Sequence, residues 1–180
     1  MKISESVVKF LIAEDINFSQ LGDKTIYRVS LEGKRGTFCT YIDVDEDNEH
    51  IECITRCPLR ATEDTKADVL RLFAHVNLRL AVGHFDIDLA DGDIRFRTSI
   101  FAGSSELDPD LIKHLVFMSM TAMDMFIPVI ASVICSKIGA EDALRMHAKN
   151  TSKNSDTKSS DGQSHGFGGR LGRIIDGSSN

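Results

Sequence analysis

The stretch that most constrains this chain is residues 84–100, where two alternating segments flank an Asp-Gly step. Phe85, Ile87 and Leu89 alternate with Asp86 and Asp88, and Ile94 and Phe96 alternate with Arg95 and Arg97. A period of two marks strands with one buried and one open face. Asp91-Gly92 is the pair that a two-residue hairpin favours, because both turn positions want positive φ. With that loop, Leu89 should face Ile94, Asp88 should face Arg95, Ile87 should face Phe96 and Asp86 should face Arg97. Apolar pairs then share one face and acid–base pairs the other.

The same reading extends upstream. Residues 25–31 and 37–44 are rich in β-branched and aromatic side chains and are joined through Gly33–Gly36; a third strand follows at 50–57. Short polar turns between them make an antiparallel meander. Pro58 is expected to end the third strand. Helical spacing places helices at 3–15 and 66–80. Asp108 as cap and Pro109 at the first helical position open a long apolar helix running to about Ile138. Pro128 should kink or divide it, and residues 140–147 can form a further short helix. The expected fold is α+β, an antiparallel sheet flanked by helices in the order α-β-β-β-α-β-β-α.

From Lys149 the composition changes: the last 32 residues hold seven Ser, six Gly and four large apolar residues. Two units are expected, a domain over 1–148 and a disordered Ser/Gly-rich tail over 149–180. Phe167, Leu171, Ile174 and Ile175, with Arg170 and Arg173, form a candidate recognition motif, although the nearby glycines favour a plain linker.

A net charge of −6 argues against nucleic acid as a main partner. Four cysteines, with no leader-like apolar run at the start, point to free thiols and a cytoplasmic protein. The apolar run 115–138 is long enough to cross a bilayer. Asp124, Pro128 and several hydroxyls inside it argue for a core helix instead, without membrane insertion.

Candidate chemistry is sparse. Asp43, Asp45, Asp47 and Glu49 resemble a calcium loop, but Asn48 and Ile54 replace its turn glycine and bidentate Glu. Cys53 and Cys57 lack the second pair a zinc site needs and read as buried thiols. Gly166–Gly172 nearly matches a dinucleotide fingerprint, with its third glycine one place late. Asp86 and Asp88 are explained by Arg95 and Arg97 without acid–base catalysis. No catalytic residue, metal or cofactor is expected. Met118, Met123, Phe126, Ile127 and Ile130 give the long helix more apolar surface than one sheet face requires, so they are the candidate surface for a partner or a second copy, with core packing as the default role for most of the helix's methionines.

The run from Asn77 through Gly83, Phe85, Asp88, Asp91-Gly92, Ile94, Phe96 and Arg97, followed by Asp124-x3-Pro128 and Glu141-x-Ala143, resembles the YbjN-domain family of bacterial sensory transduction regulators. The resemblance covers about residues 4–147. It implies a fold similar to type III secretion chaperones, a homodimer, and binding of protein segments without ATP. The expected function is therefore a non-enzymatic, chaperone- or adaptor-like module with an unidentified protein client. The alternative is a regulatory domain that binds a small ligand beneath the kinked helix.

Overall fold

The computed structural model describes residues 2–103 and 107–155. Helix α1 (Ile3–Ala13) leads through β1 (Phe18–Gln20) into β2 (Ile26–Glu32), β3 (Thr37–Asp45) and β4 (His50–Arg60). After these come α2 (Lys66–Asn77), β5 (His84–Ile87), β6 (Asp93–Phe101), α3 (Pro109–Ser136) and α4 (Ala140–Ser155). The expected order is present, with one short strand added before β2, and the further helix expected from 140 follows α3 as α4. The six strands form an antiparallel sheet in the order β1-β2-β3-β4-β6-β5.

Strict alternation makes this sheet one-sided. Tyr27, Val29 and Leu31 on β2, Phe38, Ile42 and Val44 on β3, and Ile51, Cys53 and Cys57 on β4 are all buried. Their neighbours in sequence point to the other face. Helix α3 covers β3, β4 and β6, α1 packs on α3, and α2 packs on β5 and α4. The inner face also carries hydroxyls. Thr40 and Thr55 share a 2.7 Å hydrogen bond, and Ser119 of α3 lies 2.8 Å from Thr55 while donating to the Phe96 carbonyl at 3.1 Å. Thr98 donates to the Leu115 carbonyl. These bonds have directions that apolar packing lacks, so they fix where α3 lies along the sheet.

Phe85 is the aromatic hub. Its ring stacks on Phe73 of α2 at 5.1 Å and meets Phe96 of β6 and Phe126 of α3 edge-on at 4.7 and 5.3 Å. Asn77, the last residue of α2, holds this edge of the sheet: its amide donates to the Phe85 carbonyl and accepts from the Phe85 N–H. The side chain thus stands where a further strand would, which protects an otherwise open edge.

Several expectations are corrected. The hairpin register is shifted by two residues: Ile87 opposes Ile94 and Phe85 opposes Phe96. The connection is wider than Asp91-Gly92 because the Gly92 carbonyl accepts from Ala61 at 2.9 Å and the Gly92 N–H donates to Asp88 at 2.7 Å. Leu89 is released to solvent, 55% exposed. A two-residue slip preserves which side chains share a face, so Asp86 still pairs with Arg97 and Asp88 with Arg95, now diagonally. Pro58 does not end β4; it lies within the register shift between Arg56 and Arg60, where the ladder needs no donor. Pro128 does not divide α3, which continues to Ser136. Helix α4 runs to Ser155, past the change of composition at Lys149.

The environment of Gly92 yields a stability prediction. Its φ is +74°, and a Cβ there would stand 2.0 Å from the Ala61 oxygen, whereas Gly22, at φ +59°, faces open space. Gly22→Ala should cost only the backbone strain of about 1 kcal/mol. Gly92→Ala should cost roughly 2–3 kcal/mol, because strain and a backbone clash add. Urea denaturation of both variants measures this; equal losses would contradict the placement of Ala61 on Gly92.

Candidate functional site: the open face of the sheet

The five residues expected to form a contact surface lie elsewhere in the fold. Met118, Met123, Phe126 and Ile130 are at most 6% exposed, and Ile127 is partly buried. Helix α3 carries so many apolar residues because it meets the sheet on one side and α1, α2 and α4 on others. It is long and apolar enough to cross a membrane, yet most of its apolar stretch is buried within this fold. A contact surface made of those five would require α3 to leave the sheet.

The uncovered surface is the opposite face. Across β2, β3, β4 and β6 one row reads Arg28, Tyr41, Ile54, Arg97, and the next reads Ile26, Asp43, Glu52. A third cross-strand pair is Arg56 opposite Arg95. Two of these pairs set like charges directly opposite each other, Arg56 with Arg95 and Asp43 with Glu52, which is unfavourable unless a counter-charge intervenes.

The arginine pair has one. Asp93, 2% exposed, accepts from Arg56 at 2.5 Å and from Arg95 at 2.7 Å, with Arg60 at 3.8 Å. Desolvation alone would raise the Asp93 carboxyl, but the hydrogen bonds and charges of Arg56 and Arg95 outweigh it and hold the group below its ordinary value. Asp91 extends the network to Arg60 at 2.8 Å and accepts from the Asp93 N–H at 3.0 Å. The acidic pair is only half resolved. Glu52 receives two bonds from Arg97, at 3.0 and 3.1 Å. The Asp43 carboxyl is raised, first by desolvation and then by the charges of Glu52 and Asp45, with Lys24 and His50 opposing more weakly.

Between these groups lies a depression of about 350 Å³. Leu21, Ile26, Tyr41 and Ile54 give it apolar walls, and Asp43, Arg56, Asp91, Asp93 and Arg95 give it polar ones. It is on the face away from α3, where the space between helix and sheet is filled by Met123, Phe126 and Ile130. The hairpin pairs predicted from sequence, Asp86–Arg97 and Asp88–Arg95, border this face; Arg56, Arg60 and Asp93 were missed. Their signal was slight, because Arg56 stands near the end of the expected third strand with no partner assigned to it, Arg60 lies beyond the strand end expected at Pro58, and Asp93 directly follows the expected Asp91-Gly92 turn.

The remaining candidates have other partners. The Glu46 carboxylate caps α1, accepting from the N–H groups of Ile3 and Ser4 at 3.1 and 2.8 Å, and Asp45 accepts from Asn48. Cys53 and Cys57 are buried, and desolvation pushes their thiols up to about 12 and about 11. Among the described residues, no three His, Cys, Asp or Glu gather in a metal-holding group. The glycine run at 166–172 and the motif around Arg170 lie outside the described residues.

The Asp93 network yields a pH prediction. A carboxyl held below its unfolded value near 3.9 stabilises the fold above that pH, and the contribution is lost as pH falls through the folded value. Asp93→Asn should cost about 1–2 kcal/mol at pH 7, discounted because Arg56 is 39% exposed. The difference from the parent chain should shrink below about pH 4. Denaturation midpoints across pH 3–7 read this; a gap independent of pH would contradict the network.

The comparisons with known proteins agree with this architecture. The chain is similar in fold to the ExsC–ExsE complex structure (TM-score 0.52, 12% identity, 69% of this chain and 90% of that one). It is similar to the crystal structure of YbjN, "a putative transcription regulator from E. coli" (0.53, 10%, 69% and 87%). It also resembles the HopA1–SchA chaperone–effector complex (0.51, 15%, 68% and 91%). No curated protein matches it in sequence. The model of the YbjN family, described as "Putative bacterial sensory transduction regulator", matches residues 4–132, from α1 through most of α3. The chain belongs to the YbjN family.

Proposed function

We propose that this protein is a non-enzymatic binding module, chaperone- or adaptor-like, which acts as a homodimer in the cytoplasm and takes up protein segments on the open face of its sheet. The observation that carries the reading is the one-sidedness of the sheet. Among the described residues, the helices pack on the inner face or on one another, while Tyr41, Ile54 and Ile26 line an uncovered depression with a charged rim. Apolar anchors inside a polar rim are what a peptide contact uses. Two of the similar folds are complexes with a protein partner, a chaperone with an effector in one case. Four free cysteines are compatible with a reducing compartment.

For the dimer, support comes from the α2 side of the molecule. Leu70 on α2 is 43% exposed, and Leu78 and Val82, which follow α2, are 84% and 37% exposed. Large apolar side chains left uncovered near one helix are the residues a contact with a second copy would cover. A second reading, a regulatory domain for a small ligand, is favoured by the volume of the depression, near the lower end of ligand pockets. A thermal-shift screen of metabolites separates it, since a ligand specific to the folded state must raise the midpoint.

Light scattering after size exclusion should show a dimer at micromolar concentration, and Leu78→Glu should shift it toward monomer; a parent chain that is strictly monomeric removes the dimer. Ile54→Asp should abolish capture of the proteins that the parent chain enriches from its host lysate while leaving the melting temperature within a few degrees. Identical capture by the folded variant removes the open face as the contact site.

A further inference from the structure

The depression has a chemical preference that its own side chains leave unmet. Its arginines are engaged: Arg56 and Arg95 by Asp93, and Arg97 nearby by Glu52 and Asp86. Asp43 instead faces Glu52 across the strand pair, with Asp45 two residues along and apolar Ile26 and Tyr41 beside it. A partly buried carboxylate beside other acids gains most from a cation that arrives with apolar groups to cover the walls. The matching ligand is a basic, apolar peptide.

This chain carries such a segment. Residues 167–175 read Phe-Gly-Gly-Arg-Leu-Gly-Arg-Ile-Ile, with two arginines, no acid and four large apolar residues in nine positions. Fifteen residue steps lead from Ser155, the end of α4, to Arg170. Extended, they reach roughly 50 Å, more than the diameter of about 40 Å expected for a domain of this size. Tethering makes the encounter intramolecular, with an effective concentration of order millimolar, so a weak intrinsic affinity suffices.

We propose that the segment 167–175 docks in cis on the depression around Asp43, with an arginine against that carboxylate and its apolar residues against Ile26, Tyr41 and Ile54. It acts there as a tethered occupant that an external client must displace. The inference rests on the open face being the binding surface, and it adds the chemistry of what binds: a segment with arginine next to bulky aliphatic residues.

Hydrogen exchange of the full chain, read by mass spectrometry, tests it. In the parent chain, amides of 167–175 should exchange at least about tenfold more slowly than in Arg170→Glu/Arg173→Glu, which changes no residue of the sheet. Asp43→Lys should release the segment equally, and combining it with the two Glu substitutions should restore protection. If 167–175 exchanges at the same rate in all four proteins, the inference falls. Protection that rises with protein concentration would also overturn it, because the occupant would then belong to a second copy. Capture by the parent chain but not by Ile54→Asp separates the two claims: with an unprotected segment, it leaves the open face as the client site and removes only the tethered occupant.

Discussion

Everything in this fold depends on placing one carboxyl group. Asp124 stands in the middle of α3, among Met123, Phe126 and Ile130, and is 6% exposed. A polar group so placed is costly unless it is hydrogen-bonded. The β2–β3 connection supplies the bonds: the Arg35 N–H donates to the Asp124 carboxylate at 2.7 Å, and the Arg35 guanidinium donates to the Asp124 main-chain oxygen at 3.1 Å. The approach is so close that a Cβ on Gly33 would stand 2.6 Å from the carboxylate oxygen. The hairpin tip therefore clasps the helix, and the Thr40–Thr55–Ser119 hydroxyls hold it at a second point. Those polar anchors let an otherwise featureless apolar helix occupy one position on the sheet.

Because α3 is fixed there, its apolar surface is largely consumed within the chain, and the face of the sheet that no helix covers is the opposite one. That side balances its charges across strands. Asp93 reconciles two arginines in register, and Glu52 takes up Arg97, while Asp43 keeps an excess of negative charge beside apolar walls. The same β4–β6 pairing that completes the core thus produces a depression whose polarity is uneven, and uneven polarity is what allows one peptide to be preferred over another.

Much of this could be read from the sequence. Alternation located the strands, and Asp108-Pro109 located the start of α3, where Asp108 accepts from the Asp110 N–H. Asp86, Asp88, Arg95 and Arg97 were matched correctly as ion pairs, because a two-residue slip leaves faces unchanged. The register itself was not legible: it depends on Ala61, thirty-one residues away, whose main chain docks on Gly92. Which side chains of the Met-rich helix would be covered was not legible for a similar reason. Composition shows that a helix has apolar residues to bury, and only the topology shows that three other helices and the sheet bury them. Asn77 and Gly83 carried the family resemblance, and their physical reasons emerge only with the fold: Asn77 pairs with the main chain of Phe85, and Gly83 leaves room for the Phe96 ring.

The central claim is that α3 belongs to the core and the open sheet face to partners. Mild peroxide oxidation of the native chain, followed by peptide mass spectrometry, tests it directly through the methionines, whose oxidation follows exposure. Met118, Met120 and Met123 are at most 7% exposed, whereas Met146 on α4 is 51% exposed. The account predicts that Met146 is oxidised first and that Met118, Met120 and Met123 react only once the chain unfolds. Oxidation of Met123 in the native protein at the rate of Met146 would show that α3 leaves the sheet, and would contradict it.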